Sequence, residues 1–217
     1  MTDRISGFKA MARAGMAAAM LVLLAACAQP ARVSQMVAPN VMAPVTASNP
    51  ELLDSISIAD VKGGQTTNPM WTSQVDNPEF REALDRSLAF NGLLASDATR
   101  AKYGVTAELL ELKQPLMGFD LTVTSRVKYT VQERGGASAE LFGEEITTPY
   151  TADFSSSLVA VERLRLANEG AIRESIRNFL VKLGDSWAAR TGRAPVAQPV
   201  AAPAPATAPA ASGKPTS

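Results

Sequence analysis

From Asp120 to Gln132 the chain alternates without a break. Leu121, Val123, Ser125, Val127, Tyr129 and Val131 take one side, and Thr122, Thr124, Arg126, Lys128, Thr130 and Gln132 take the other. Successive side chains of an extended strand point to opposite faces, so a period of two held this long calls for a sheet that is packed on one face and wet on the other, as antiparallel sheets are. The surrounding sequence supplies the neighbours. Arg134-Gly135-Gly136-Ala137 reads as a hairpin loop. It returns through Glu140 to Ala152, with Phe142, Ile146 and Tyr150 recurring, and Pro149 fits an edge strand or its end because it has no amide hydrogen to donate. Upstream, Tyr103 to Leu112 sets Tyr103, Val105, Ala107 and Leu109 on one side before Pro115 and Gly118 break the chain. A first strand near Ser55 to Val61 runs into Lys62-Gly63-Gly64, a turn or bulge signal.

Two segments have the other period. In NPEFREALDRSLAFNG, Asn77 is placed to cap a helix, Pro78 suits its first turn, and Glu79 and Glu82 face the positive helix end. Phe80, Ala83, Leu84, Ser87 and Leu88 share a face, and Gly92 closes the helix in a left-handed conformation. The second helix is expected from about Ser156 to Ala189, with a stripe of Leu164, Asn168, Ala171, Ile172, Ser175, Ile176, Phe179, Leu180, Leu183 and Trp187. Arg163, Glu169, Arg173, Glu174 and Arg177 are expected on its opposite, solvated face. Gly170, which costs about 1 kcal/mol against alanine in a helix, marks either a bend or a contact too close for a side chain. The order strand, helix, two or three strands, helix gives an α+β fold: a small antiparallel sheet covered on one face by two helices. It would occupy residues 50–190 as a single domain.

The ends of the chain are of another kind. Arg4, Lys9 and Arg13 precede an apolar run, Met16 to Ala26, of about 11 residues, against the roughly 20 needed to span a bilayer. The run closes on Leu24-Ala25-Ala26-Cys27, which contains the only cysteine of 217 residues. This layout resembles a cleavable export signal ending in a bacterial lipobox. The resemblance implies that residues 1–26 are a removed signal peptide and that Cys27 carries the lipid. A lone thiol in an exported chain is otherwise exposed to oxidation or mispairing, and acylation removes that problem. More than one acyl chain is needed for stable residence in a membrane. Ala28, rather than Asp, follows the cysteine, which under the sorting rule of enteric bacteria favours the outer membrane. Residues 27–49, with three prolines and no acid, read as a lipidated cysteine and flexible tether. Residues 191–217 read as a disordered tail rich in Ala and Pro, either a spacer, a ligand for the wall or a partner, or a tolerated loose end.

Charge narrows the partners. Residues 1–26 hold one acid and three bases out of 21 of each, so the remainder carries 20 acids and 18 bases. Residues 50–190 hold all 20 of those acids and 15 of the bases, about five net negative charges with no basic stripe. Nucleic acid is not an expected partner. The chain has no histidine, which removes the commonest general base and metal ligand. Ser-His-Asp and Cys-His catalysis are excluded, and no metal or other cofactor is expected. Glu144 and Glu145 are adjacent in a strand and so point to opposite faces, poor geometry for a shared acid-base task. Gly63-Gly64 and Gly135-Gly136 lack the spacing and following helix of a phosphate loop. Trp71, in Asn68-Pro69-Met70-Trp71, either plugs one end of the core or forms a stacking platform in a pocket. Asn168 and Glu169 either bond the preceding loop or rim a groove.

With the lipobox, the element order and the amphipathic final helix in hand, the chain resembles small envelope lipoproteins of Gram-negative bacteria, in architecture the YajG-like and, more remotely, the LptE-like groups. The resemblance implies a non-enzymatic protein on the periplasmic side of the outer membrane. The leading expectation is a structural or interaction module whose wet row, Thr122 to Gln132, or a free strand edge, meets an envelope protein. The alternative is a small-ligand or lipid-binding auxiliary subunit of an envelope transport system, with an apolar pocket near Trp71.

Overall fold

The computed structural model describes residues 28–41, 49–68, 73–115, 118–135 and 139–192. Four strands form one sheet in sequential order: β1 (Ile56–Lys62), β2 (Tyr103–Lys113), β3 (Leu121–Glu133) and β4 (Glu140–Ala152). Among the described residues it is accompanied by three α-helices: α1 (Val33–Met36), α2 (Asn77–Phe90) and α3 (Ala160–Arg190). The expected two-layer α+β architecture is therefore present, with one refinement. β2, β3 and β4 pair antiparallel, but β1 pairs parallel to β2. A connection through a helix permits a parallel pair, and α2 lies between these two strands in the chain.

The apolar row of β3 is buried throughout and sets the core. Val127 faces Leu109 across one ladder and Ile146 across the other. Phe179 of α3 stacks on Tyr129 at 4.4 Å between ring centroids and meets Phe142 edge-on at 5.6 Å. Each such fully buried large side chain contributes about 1.5–3 kcal/mol. β2 carries a register shift between Leu109 and Glu111. The extra residue leaves Leu110 exposed and turns Leu112 back toward the core.

α2 begins as the sequence suggests, one residue earlier in its capping. Asp76, not Asn77, is the cap: its Oδ1 accepts from the Glu79 amide at 2.8 Å, and Glu79 Oε2 accepts from the Asp76 amide at 3.3 Å. This reciprocal pair satisfies two of the helix's orphan donors. Asn77 Oδ1 instead accepts from the Gly64 amide at 2.7 Å. Burial pushes the Glu79 carboxyl above the usual carboxylate range.

The principal correction concerns the segment expected to be a tether. Residues 28–41 are built into the domain: Met36 is fully buried, and Ala28, Ala31, Val37 and Ala38 nearly so. The segment runs between α2 and α3, which touch each other at few points. On the α2 side Ser87 Oγ accepts from the Ala38 amide at 3.0 Å, and Asn91 both accepts from the Val41 amide at 2.6 Å and donates to the Ala38 carbonyl at 2.9 Å. On the α3 side it is held by Glu169. Apolar side chains that fill a groove, together with buried polar partners for the backbone, offset the entropy of ordering it. Residues 1–27, and the tail from 193 onward, lie outside the described residues, so the expected signal motif Leu24, Ala25 and Ala26 and the expected lipid site Cys27 lie outside them too.

Candidate functional site

Two surfaces stand out, the open face of the sheet and the polar N-terminal half of α3. The open face is built by strand alternation alone. Thr122, Thr124, Arg126, Lys128, Thr130 and Gln132 all project from β3 away from the helices, as expected, with Thr124 and Thr130 half-buried and the other four exposed. Their cross-strand neighbours extend the row sideways. Lys128 is opposite Glu108 on β2 and Glu145 on β4, and Arg126 is opposite Glu111 and Thr147. Arg126 lies 3.5 Å from Glu111 and 3.4 Å from Glu145, and Thr122 bonds Thr151 at 2.8 Å. Charges on this face are thus neutralised from strand to strand, each exposed pair contributing about 0.2–1 kcal/mol. The result is a threonine-rich surface with no single-sign field. Glu144 and Glu145 point to opposite faces, as the alternation requires: Glu144 reaches Lys182 of α3, Glu145 reaches Arg126.

The N-terminal half of α3 departs from its sequence pattern. Arg163 and Glu169, expected on the solvated face, are buried, as is Arg165. Glu169, 1% exposed, accepts from the Arg32 amide at 2.8 Å and from the Arg32 guanidinium at 3.0 and 2.9 Å, a two-pronged bond. That bond raises the Arg32 guanidinium above its ordinary value. Arg165 lies 3.8 Å from the same carboxylate and donates to Glu162 at 2.6 Å. Arg163 lies over the Phe154 ring, 4.9 Å from its centroid, and donates to the Ser157 carbonyl. Their burial has a common cause: residues 28–41 and the turn before α3 cover a side of the helix that would be solvated on a bare sandwich.

Asn168 bonds not the loop that precedes α3 but two segments distant in sequence, the stretch before α2 and the one after β2. It donates to the Ser73 carbonyl at 2.8 Å and accepts from Gln114 at 3.0 Å, while Ser73 Oγ donates to the Gln29 carbonyl at 2.8 Å. Gly170 is the contact too close for a side chain. Its bare Cα faces the ring of Tyr150, which a Cβ would strike.

Trp71 lies outside the described residues. A cavity of about 70 Å³ borders Gly63, Gln65, Gln74, Leu109 and Leu112. That is room for about two waters, well short of the roughly 300–1,000 Å³ of a small-molecule site. Among the described residues no cluster of three or more Asp, Glu, Cys or His is arranged to hold a metal ion, and no helix is long and apolar enough to cross a membrane. The phenol of Tyr129 is pushed well above its ordinary pKa by burial and shares a 3.1 Å hydrogen bond with Ser175.

No protein-family model matches the chain, and no curated protein matches it. Several solved structures are similar in shape, among them the following three. A candidate lipoprotein from Caulobacter crescentus CB15 is 18% identical, with a TM-score of 0.45, over 70% of this chain and 100% of that one. Protein XCC0632 from Xanthomonas campestris, of the DUF330 family, is 13% identical, with a TM-score of 0.47, over 72% and 92%. The hypothetical protein CT253 from Chlamydia trachomatis is 14% identical, with a TM-score of 0.43, over 59% and 96%. The three descriptions name neither a YajG-like nor an LptE-like protein. At these identities and TM-scores the likenesses carry no functional information.

Proposed function

We propose that this chain is a lipid-anchored protein of the bacterial cell envelope, acylated at Cys27 and held at the periplasmic side of the outer membrane. It acts there without catalysis, as an interaction module that presents the open face of its sheet to another envelope protein. The observation that carries the reading is Leu24-Ala25-Ala26-Cys27 itself: the only cysteine of the sequence closes a short apolar run behind a basic leader. The open face supports the second part. Its threonine hydroxyls and paired charges remain hydrated without a partner, and they supply donors and acceptors in fixed rows for a polar partner surface.

The test is intact mass of the full chain made in a Gram-negative host. An acylated species beginning at residue 27, replaced by an unacylated precursor in Cys27→Ser, supports the anchor. A bare thiol or a different start site overturns it. Photo-crosslinkers at Thr124 and Lys128 in the same cells test the face. A protein adduct there, absent from a crosslinker at Arg177 on α3, supports the assignment, and the reverse pattern moves the interface to the helices.

A further inference from the structure

Four large apolar side chains lie in the water at one end of the domain. Phe119, in the turn before β3, and Leu158, just before α3, are each 81% exposed, and Phe154 and Val159 beside them are 43% and 44% exposed. Two of them touch, and Leu158 and Val159 follow Phe154 within five residues in the turn that leads into α3. The Phe119 and Phe154 rings meet edge-on at 5.9 Å, and the Phe154 amide donates to Asp120 at 2.9 Å, which ties the two turns together. Scattered exposed apolar residues need no explanation, but two phenylalanines, a leucine and a valine gathered at one end do.

The path of residues 28–41 identifies what covers them. Going backward along the chain, the Gln35 carbonyl accepts from Arg173, Arg32 bonds Glu169, and Gln29 Oε1 accepts from Arg165. Each step moves about one turn toward the N-terminal end of α3. Arg165 lies roughly 9 Å along the helix from Val159, and Cys27 is one peptide unit from Ala28, about 3.8 Å between Cα atoms. Gln29, two residues after Cys27, therefore lies toward the end of α3 that carries these apolar side chains.

We infer that these side chains bed into the lipid surface next to the acyl anchor. The domain then stands on the bilayer with the N-terminal end of α3 down and the turn at Asp97–Arg100, near the other end of the helix, away from it. This rests on acylation of Cys27. Phenylalanine and leucine partition into the boundary between headgroups and acyl chains, to a depth of about 5–10 Å. A lipid chain on Cys27, two residues before Gln29, raises their local concentration at that boundary.

The experiment uses the full acylated chain, in which the thioether blocks Cys27, carrying a single new cysteine at Leu158→Cys, Phe119→Cys or Arg100→Cys. Each is labelled with an environment-sensitive dye and reconstituted in vesicles of phosphatidylethanolamine and phosphatidylglycerol containing an acyl-chain spin label. The expected result is at least about a twofold loss of emission at 158 and at 119, within the depth given above, with no loss at 100. In the Cys27→Ser background the loss at 158 and 119 should largely vanish. Acylated, vesicle-bound protein whose dye at 158 and 119 stays unquenched would overturn this inference and leave the anchor standing. So would a dye already shielded in lipid-free detergent by a second copy of the chain. Protein whose mass shows no acyl group at Cys27 would overturn the anchor and the bedding together.

Discussion

The two halves of α3 are built on different principles. Its C-terminal half follows the apolar pattern: Ile176, Phe179, Leu180 and Leu183 are buried on the sheet, and Trp187 meets Tyr103 edge-on at 5.0 Å. Its N-terminal half packs a smaller apolar set, Ala167 and Ala171 on Val123 and Ala152, and buries Arg163, Arg165, Asn168 and Glu169 beside it. One half glues the helix to the sheet through apolar area. The other half adds directed bonds that grip chain segments, and its main object is the stretch of residues 28–41. The difference separates what makes the domain stable from what fixes its N-terminus in place.

Four substitutions or titrations break or sharpen that contrast. The largest effect belongs to the apolar half: Phe179→Ala empties a fully buried site between Tyr129 and Phe142. It should cost about 3–5 kcal/mol, seen as a lower denaturation midpoint with every region unfolding together. Glu169→Ala should cost about 3 kcal/mol, because it leaves Arg165 buried beside a missing counter-charge. Its signature is local as well: amide exchange should rise across residues 28–41 while β3 stays protected. At the junction of the halves, Gly170→Ala should destabilise modestly despite a helix-propensity gain of about 1 kcal/mol. The added methyl displaces the Tyr150 ring, and Tyr150→Ala in the same chain should restore the gain. A loss that persists without the ring would show that a feature other than Tyr150 requires the glycine.

The smallest effect is silent at neutral pH. Tyr129 keeps its phenolic proton in the folded state at a pH where the unfolded chain has released it. Its contribution is therefore intact below about pH 10 and falls as pH rises beyond that point. Absorbance titration of the three tyrosines should show Tyr129 ionising only as the protein unfolds, and Tyr129→Phe should flatten the alkaline loss of stability.

Much of the fold could be read because its signals are local. β3 and β4 sit where alternation places them, β4 is an edge strand as Pro149 suggests, and the buried face of α2 is the predicted set from Phe80 to Leu88. The failures are of contacts between distant residues. Arg32 and Glu169 are 137 positions apart, and no period within either segment announces the pairing. Residues 28–41 contain Pro30 and Pro39 and no repeat, so their order comes from the groove they fill rather than from any propensity of their own. Glu169 gave no clue of its own, since its spacing groups it with the charged residues of α3, and only its neighbour Asn168 falls on the apolar stripe. The parallel pairing of β1 was likewise invisible to alternation, which fixes the faces of a strand and not its direction.

The central claim is that the chain immediately after residue 27 belongs to the folded body, so that an anchor at Cys27 is fixed to the domain without slack. Hydrogen exchange on the full-length acylated protein tests it most directly, through the amides of Arg32, Ala38 and Val41, which donate to Glu169, Ser87 and Asn91. The account predicts protection at all three, lost in Glu169→Ala first at Arg32. Exchange at the rate of an unstructured peptide in the unaltered protein would contradict it.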